Sequence, residues 1–386
     1  MERNIVIAPD KFKGCLSSPK ICRIVEKGLK KQLKENWSIT ACPQADGGEG
    51  TVEAVVEARN GEIISSPVNG PRGGEVEAEW GWVAARDANT AIVEMAAASG
   101  LALLDKRDQN PMKTSTYGTG QIIREAAEKG ADKILLGIGG SATVDGGTGV
   151  ARALGFKLLD KNNQPVEGGG GNLGGIDKID DSDVPAAVKN LEIKVACDVT
   201  NPLLGPEGAA RVYGPQKGAT AKMVAKLENN MENWADVLEK FAGKNLREEP
   251  GTGAAGGLGF GLMGLLGAEL TSGAQLVGEV TGLNSLLKNA DVLITGEGKI
   301  DNQTAYGKTP AVVAGTGKEN NVRLIIGLAG ALAGNIKPLY DKFDLIFAIP
   351  NRPMSLQESM AEADEQLLEW GENLGRLINK IFNTGG

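Results

Sequence analysis

The fold is most tightly constrained by one recurring pattern, in which a short apolar run leads into a turn rich in glycine and aspartate and then into a stretch with helical spacing. Apolar runs of this kind occupy residues 5–8, 292–294, 324–326 and 345–349. Wholly apolar strands that alternate with helices are typical of a parallel sheet covered on both faces. We therefore predict an α/β fold in which both ends of the chain contribute strands to one parallel, Rossmann-like sheet.

The middle of the chain follows a different pattern. Residues 75–83 alternate between charged and apolar side chains after a glycine-rich turn, which predicts an antiparallel pair of strands. Residues 133–138 begin a further strand–turn–helix unit. We therefore predict two domains: a discontinuous, parallel-sheet Rossmann-like domain of residues 1–65 and 285–386, and an inserted second α/β domain of residues 66–284. In open parallel sheets, ligands bind beyond the carboxyl ends of the strands.

Composition and charge exclude several classes of protein. The chain has 41 Lys and Arg against 49 Asp and Glu, and no basic stretch stands out, so we expect no nucleic-acid partner. The longest apolar stretch, residues 254–268, is interrupted by glycines and falls short of the ~20 residues that span a bilayer. We expect no membrane partner and a cytoplasmic location. Histidine is absent, so a general base must be Asp, Glu, Lys, Tyr or Cys.

A glycine-rich segment from Gly137 to Ala142 follows a predicted strand and is expected to open a helix. It fits the pattern G-x-G-x-x-A, and Asp160 supplies the acidic residue of a dinucleotide fingerprint. An NAD-dependent dehydrogenase of a small hydroxy acid is therefore one possible function, and a non-catalytic nucleotide-binding protein is another. Backbone N–H groups at such a helix start bind phosphate of any kind. The residues that we expect to bind phosphate are Gly139, Gly140, Ser141 and Thr143.

Acidic residues beside glycines follow several of the predicted strands. They are Asp46, Glu49, Asp145, Asp198, Glu297 and Asp301. Carboxylates at such places hold Mg²⁺ or accept the proton of a substrate hydroxyl. Lys13 and Lys217 each precede a glycine in stretches otherwise poor in charge. Lysines in loops are usually solvated, and these two would supply the local positive charge that an anionic substrate needs.

Six motifs, taken in order, resemble the bacterial glycerate kinase family from residue 7 to about residue 350. They are APDKFKG, PQADGGEGT, GIGGSATVDGGTG, CDVTNPLLG with YGPQKGA, PGTGAAGGLG and TGEGKIDNQTAYGKTP. The sequence departs from the family at Lys11, where a serine is frequent, and at Lys299, where arginine is common. The resemblance implies two α/β domains with the active site in the cleft between them. It also implies the ATP- and Mg²⁺-dependent phosphorylation of D-glycerate. The oligomeric state, monomer or homodimer, stays open.

The resemblance and the residues together give a predicted set of site residues. We expect Asp198, Asp301 and Lys13 to be catalytic, with Asp198 favoured as the proton acceptor. The predicted substrate-binding residues are Lys13, Asp46, Glu49, Asn201 and Lys217. The predicted nucleotide-binding residues are Gly139, Gly140, Ser141, Thr143, Gly296 and Gly298. The predicted Mg²⁺ ligands are Asp198, Asp301 and Asp145.

Overall fold

A computed structural model describes residues 2–383 of the chain. In chain order, the strands are β1 (Arg3–Ile7), β2 (Trp37–Ala41), β3 (Glu62–Asn69), β4 (Glu75–Val83), β5 (Thr90–Glu94), β6 (Lys133–Gly137), β7 (Lys157–Leu159), β8 (Lys178–Asp180), β9 (Glu192–Ala196), β10 (Glu269–Thr271), β11 (Val292–Ile300), β12 (Leu324–Leu332) and β13 (Leu345–Ala348). The α-helices are α1 (Ser18–Lys30), α2 (Thr51–Arg59), α3 (Ala96–Ser99), α4 (Tyr117–Lys129), α5 (Thr148–Ala153), α6 (Ala186–Lys189), α7 (Ala221–Ala242), α8 (Leu258–Leu266), α9 (Gly273–Thr281), α10 (Leu283–Leu287), α11 (Thr309–Glu319), α12 (Leu356–Ala361) and α13 (Ala363–Asn383). Among these residues, no helix is both long enough and apolar enough to cross a membrane.

The chain divides into two compact units. Unit 1 comprises Met1–Asp46, Glu53–Asn60 and Ala274–Gly386, and unit 2 comprises Gly47–Val52 and Gly61–Gly273. The predicted domains of residues 1–65 with 285–386 and of residues 66–284 assign three segments differently. Those segments are residues 47–52, 61–65 and 274–284.

Unit 1 contains a five-stranded sheet in the order β13-β12-β11-β1-β2, with every neighbouring pair parallel. Its strands bury alternate residues on opposite faces. Ile5 and Ile7 pack with α1 and α13, whereas Val6 and Ala8 pack with α10 and α11. The predicted parallel α/β sheet, covered on both faces, is therefore confirmed. Chain connections run to one side from β1 and to the other side from β11, so the strand order switches direction between these two strands.

Unit 2 contains a six-stranded sheet in the order β10-β9-β6-β5-β4-β3. Strands β10, β9, β6 and β5 are parallel, and the β3–β4 hairpin extends the sheet with antiparallel pairing. The antiparallel pair predicted around residues 75–83 is confirmed. One core serves this unit, in which Trp80, Met95, Trp234 and Phe260 are fully buried.

The segment from Gly137 to Ala142 does not open a helix, and that prediction was wrong. The chain leaves β6 through a loop of residues 138–147, the β6 loop, and α5 begins only at Thr148. This long loop is stabilised by hydrogen bonds from its backbone to other segments of the chain. The N–H of Ala142 donates to the carbonyl of Ser99 at 2.9 Å. A dinucleotide fingerprint needs a helix directly after the glycines, so the main support for the dehydrogenase alternative is lost.

A predicted turn at residues 295–298 is also absent, because β11 continues to Ile300. Its register with β12 is unbroken through Thr295↔Gly327 and Gly296↔Leu328. A side chain on Gly296 would place its Cβ 1.9 Å from the carbonyl oxygen of Leu328. Glycine at this position therefore allows the two strands to stay paired, and it does not mark a turn.

Candidate functional site

In unit 1, the predicted site residues collect where β1 and β11 end. The N–H of Asp10 donates to the carbonyl of Gly296 at 2.8 Å, so the loop after β1 continues alongside β11. A Cβ on Gly298 would lie 3.3 Å from the backbone nitrogen of Lys13, which itself is exposed. In open parallel sheets, ligands bind at the point where the strand order switches. Unit 1 thus presents its candidate site where the fold predicts it.

Asp10 is the buried carboxyl of this region, and the sequence analysis did not propose it as a site residue. Only 7% of Asp10 is exposed, and one of its carboxylate oxygens accepts the N–H of Lys11 at 2.7 Å. Burial and then the nearby Asp46 carboxylate raise the pKa of Asp10 to about 7, against a smaller lowering by Lys11. Asp10 stands in the APDKFKG motif, so its position directly after a strand could have identified it.

A lysine lies between two carboxylates at the end of β11. Its ammonium, Lys308 Nζ, is 3.6 Å from Glu297 Oε2 and 3.6 Å from Asp301 Oδ1. Lys299 Nζ lies 3.4 Å from the other oxygen of Asp301. The two carboxylates thus form a place that favours positive charge.

The pKa values of the two carboxylates in this cluster are shifted in opposite directions. Burial raises the pKa of Glu297, although the Thr304 hydroxyl, which donates to it at 2.6 Å, and Lys308 lower it. Burial also acts upward on the pKa of Asp301, but the backbone N–H of Gln303 and the charge of Lys308 outweigh it, and this pKa is lowered. Asp301 is therefore the group that stays ionised at lower pH.

In unit 2, the β6 loop carries the predicted phosphate-binding residues. Gly139 and Gly140 are exposed, Ser141 is 8% exposed, and Thr143 is completely buried. Gly140 has φ +73°, a left-handed conformation that glycine adopts without strain. Its carbonyl accepts the N–H of Leu101 at 2.8 Å. The loop therefore passes from the surface into the interior at Ser141.

Lys217, one of the predicted substrate-binding residues, is a buried side chain that is only 2% exposed. It ends a short 3₁₀ helix, and its ammonium donates to Ser141 Oγ at 2.5 Å and to the carbonyl of Thr143 at 2.6 Å. The ring of Tyr213 lies 5.9 Å from Lys217 Nζ. Burial lowers the pKa of Lys217 to about 7, and the charge of Asp145 raises it by less. The structure thus brings together Ser141, Thr143 and Lys217, which are distant in sequence.

Asp145 is fully buried and holds the β6 loop to the start of α4. Its carboxylate accepts the N–H and the hydroxyl of Thr116 at 2.8 and 2.9 Å, and the N–H groups of Gly147 and Gly149 at 3.2 Å. Burial raises the pKa of Asp145, and these hydrogen bonds act in the opposite direction. Both oxygens are occupied by protein donors, so this carboxylate is the least suited of the three predicted Mg²⁺ ligands.

Asp198 and Glu49 lie at the same edge of the sheet in unit 2. Asp198 follows β9, is exposed, and accepts the N–H of Gly273 at 3.0 Å. Glu49 belongs to the segment Gly47–Val52, whose end is fixed by a hydrogen bond from the N–H of Val52 to Glu94 Oε1 at 2.9 Å. The same segment lies close to the end of β6: a Cβ on Gly137 would be only 2.1 Å from the carbonyl oxygen of Gly47. The carboxyl ends of β5, β6 and β9 therefore share one edge with both acidic residues.

Asn201 has both ends of its side-chain amide engaged. Its Nδ2 donates to the carbonyl of Glu207 at 2.8 Å, and its Oδ1 accepts the hydroxyl of Tyr213 at 2.7 Å. Tyr213 therefore contacts two predicted site residues: its hydroxyl donates to Asn201, and its ring lies 5.9 Å from the ammonium of Lys217. Sequence reasoning missed Tyr213, since a tyrosine in a loop gives no signal of its own. That the two units share one active-site cleft stays a prediction, as do the roles of the individual site residues.

No group of three or more Asp, Glu or Cys side chains within residues 2–383 is arranged to hold a metal ion. A dedicated cage is unnecessary for nucleotide-bound Mg²⁺, which usually takes one or two carboxylates together with phosphate oxygens and water. The exposed carboxylate of Asp198 and the ionised carboxylate of Asp301 suit that mode of binding. The residues present thus fit Mg²⁺ that arrives with a nucleotide.

Fold and site together define an α/β enzyme in which glycine-rich loops, carboxylates and lysines gather at the carboxyl ends of parallel strands. Comparison with known proteins gives the family. A model of the glycerate kinase family matches residues 5–379. The chain is 45% identical to the glycerate kinase of Halalkalibacterium halodurans, over 96% of this chain and 97% of that protein. It is 41% identical to the glycerate 2-kinase of Escherichia coli, over 97% of each.

A solved structure agrees with these relatives. A crystal structure of a Salmonella typhimurium LT2 protein assigned as glycerate kinase 2 superposes with a TM-score of 0.90 at 38% identity, covering 99% of this chain and 100% of that chain. The chain belongs to the glycerate kinase family, and it is a kinase. The resemblance inferred from the sequence motifs is confirmed. None of these comparisons supports a dehydrogenase.

Proposed function

We propose that this kinase transfers the γ-phosphoryl group of ATP to the 2-hydroxyl of D-glycerate in a reaction that requires Mg²⁺. The observation that carries the proposal is the family match over residues 5–379, which includes every strand-end loop described above. The name of the Escherichia coli relative, glycerate 2-kinase, supports the choice of hydroxyl. Phosphoryl transfer depends mainly on positioning and on neutralising charge, and the chain supplies residues for both.

The nucleotide phosphates bind the β6 loop in this proposal. Its exposed glycines offer backbone N–H groups, and Ser141 adds a hydroxyl at the point where the loop enters the interior. Thr143 is completely buried, and its carbonyl accepts a hydrogen bond from Lys217 behind the loop. Gly296 and Gly298, the other predicted nucleotide-binding residues, would act indirectly, because their missing side chains let the protein backbone at Leu328 and Lys13 approach them.

Glycerate is bound by charged side chains on exposed loops. Lys13 pairs with its carboxylate, which is supported by the exposure of Lys13 and its position where β1 ends. Asp46 and Glu49 accept hydrogen bonds from the glycerate hydroxyls, and both are exposed. Asn201 contributes to the substrate site from a side chain that Tyr213 already holds in position.

Mg²⁺ bound with the nucleotide would neutralise charge on the phosphate oxygens, and Asp301 is the predicted ligand that would hold it. Asp198 is assigned to the proton instead, and Asp145 is excluded because four protein donors already occupy its oxygens. Lys308 adds positive charge beside Asp301.

Asp198 accepts the proton when the bond to phosphorus forms. The glycerate 2-hydroxyl loses its proton to the Asp198 carboxylate while its oxygen bonds to the γ-phosphorus. The bond from that phosphorus to the bridging oxygen breaks, and ADP leaves with the electron pair. Histidine is absent from the chain, so a carboxylate is the natural acceptor.

The test is a phosphorus NMR spectrum of the product formed from ATP, Mg²⁺ and D-glycerate. We expect 2-phosphoglycerate and one equivalent of ADP, and no product from L-glycerate or from D-glycerate without ATP. A 3-phosphoglycerate signal would overturn the choice of hydroxyl. If ATP is consumed at the same rate with and without glycerate, the proposal that glycerate is the phosphoryl acceptor is wrong.

A further inference from the structure

Lys217 is a buried cation whose contacts are all neutral. Its two hydrogen bonds go to the hydroxyl oxygen of Ser141 and the carbonyl of Thr143. Among residues 2–383 it forms no ion pair, and the charged group that influences it most is Asp145, whose oxygens bond elsewhere. An ammonium removed from water without a carboxylate partner is costly to bury. Such a group therefore calls for a role that a neutral side chain would not fill.

The chemistry of the Lys217–Ser141 contact fixes the direction of the serine hydroxyl. A lysine ammonium has three donors and no acceptor, whereas a serine hydroxyl both donates and accepts. In this contact the Ser141 oxygen must accept from Lys217. Its own O–H is consequently left to donate away from the lysine.

Ser141 stands at the right place for that donation to be useful. The two residues before it, Gly139 and Gly140, are exposed, and Thr143 behind it is fully buried. The hydroxyl is thus the last side-chain donor before the β6 loop enters the interior. The Lys217 charge directly behind it would strengthen its hydrogen bond to an anion, as charge-assisted networks do.

We infer that Lys217 is a positioning residue, which holds the Ser141 hydroxyl as an outward donor to a phosphate oxygen of the nucleotide. This inference deepens the proposed function and rests on it, because it assumes that the β6 loop binds nucleotide phosphate. Lys217 itself makes no contact with the nucleotide or with glycerate. This role differs from the direct substrate contact expected from the sequence.

The donor direction changes with the charge on Lys217. Below the pKa of about 7 the side chain is an ammonium, and the Ser141 hydroxyl points outward. Above this pKa the neutral amine of Lys217 can accept a hydrogen bond from the Ser141 hydroxyl. The hydroxyl then turns inward, and the outward donor is lost. The other titratable groups that face Lys217 are Asp145, which favours the charged form, and Tyr213, whose ring lies 5.9 Å away. Nucleotide affinity attributable to Ser141 should therefore fall as the pH rises through neutrality.

The experiment measures ADP binding by calorimetry in wild type, Ser141→Ala, Lys217→Met and the double variant at pH 6. Each single substitution should raise Kd about tenfold, the scale of one charge-assisted hydrogen bond. The double variant should bind no worse than Ser141→Ala, because Lys217 acts through that hydroxyl. Additive effects would show that Lys217 merely supports the Thr143 carbonyl, and would overturn the inference. Lys222→Met, at an exposed lysine on α7, is the matched control and should leave Kd unchanged.

A second measurement keeps the test informative if Lys217→Met does not fold. The ratio of Kd in Ser141→Ala to Kd in wild type should fall from about ten at pH 6 to near one at pH 8.5. In the Lys217→Arg background, where the charge persists, the ratio should be equal at the two pH values. Titration of ADP itself cancels in this ratio. A wild-type ratio that is constant with pH overturns the positioning role, whereas absent ADP binding or absent glycerate-dependent turnover in wild type overturns the proposed function.

Discussion

Unit 1 and unit 2 each bury an ionisable side chain whose pKa shifts to about 7, and these two side chains are of opposite charge. In unit 1 it is Asp10, whose pKa rises to about 7. In unit 2 it is Lys217, whose pKa falls to about 7. Burial is the largest cause in both, since desolvation disfavours the charged form of either group. One physical effect thus brings an acid and a base to the same pH range from opposite directions.

The neighbours of the two groups differ, and this difference separates their roles. Asp10 faces a second carboxylate, Asp46, which adds to the effect of burial. Lys217 has the hydroxyl of Ser141 and a carbonyl as partners. Asp10 is therefore suited to holding a proton, because a second carboxylate lies near it. Lys217 is suited to orienting the Ser141 hydroxyl, because its ammonium donates to that hydroxyl's oxygen.

The largest predicted effect tests whether the proton acceptor belongs to unit 2. Asp198→Asn should lower kcat by about 100-fold or more, the scale of a lost general base, while Asp10→Asn lowers kcat less. Steady-state kinetics with ATP and D-glycerate measure both. Asp177→Asn, at an exposed aspartate of the same unit, serves as the control. Near-normal turnover by Asp198→Asn, with a 100-fold loss in Asp10→Asn, would assign proton acceptance to unit 1.

The next effect concerns the charge of unit 1 at the end of β1. Lys13→Ala should raise KM for D-glycerate about tenfold, because a charge-assisted hydrogen bond to the substrate carboxylate is lost. Lys27→Ala, at an exposed lysine on α1, should leave KM unchanged. If KM is the same in Lys13→Ala and wild type, Lys13 is a surface lysine and carboxylate binding belongs elsewhere.

A third prediction uses the raised pKa of Asp10. Between its unfolded pKa near 3.8 and its folded pKa of about 7, the folded state binds the extra proton, so stability falls as the pH rises through this window. Asp10→Asn removes that fall. Its free energy of unfolding relative to wild type should therefore increase by roughly 4 kcal/mol between pH 4 and pH 8.

Urea unfolding at the two pH values measures this difference. Asp341→Asn, at an exposed aspartate of unit 1, should show no such change with pH. A difference between Asp10→Asn and wild type that is equal at pH 4 and pH 8 would mean that the pKa of Asp10 is the same in the folded and unfolded states.

The smallest predicted effect compares the helix starts of the two units. Thr220 caps α7 by accepting the N–H of Met223 at 3.3 Å, whereas Ser17 makes no such cap on α1 and donates to Glu53 at 2.8 Å. Thr220→Ala should lower the free energy of unfolding by about 1 kcal/mol. Equal stability of this variant and wild type in urea would show that the 3.3 Å contact contributes nothing to stability.

Much of the fold followed from local patterns in the sequence. The apolar runs predicted a parallel sheet, and the alternation at residues 75–83 predicted the hairpin, because side-chain burial imposes these periods directly. The length of β11 did not follow, since the glycines at 296 and 298 resemble turn residues. They are there because the backbones of Leu328 and Lys13 approach them closely, and such approach depends on residues far along the chain.

The sequence by itself determined which chemical groups the protein has: no histidine, acidic residues beside glycines after strands, and motifs shared with one family. Only the tertiary structure decided which of these groups are buried and what they contact. The local sequence does not mark Lys217 or Asp145 as buried, yet both are buried and bonded to distant segments. The physical reason is that desolvation and hydrogen-bond partners depend on packing between segments, whereas the local pattern records only the residue and its neighbours.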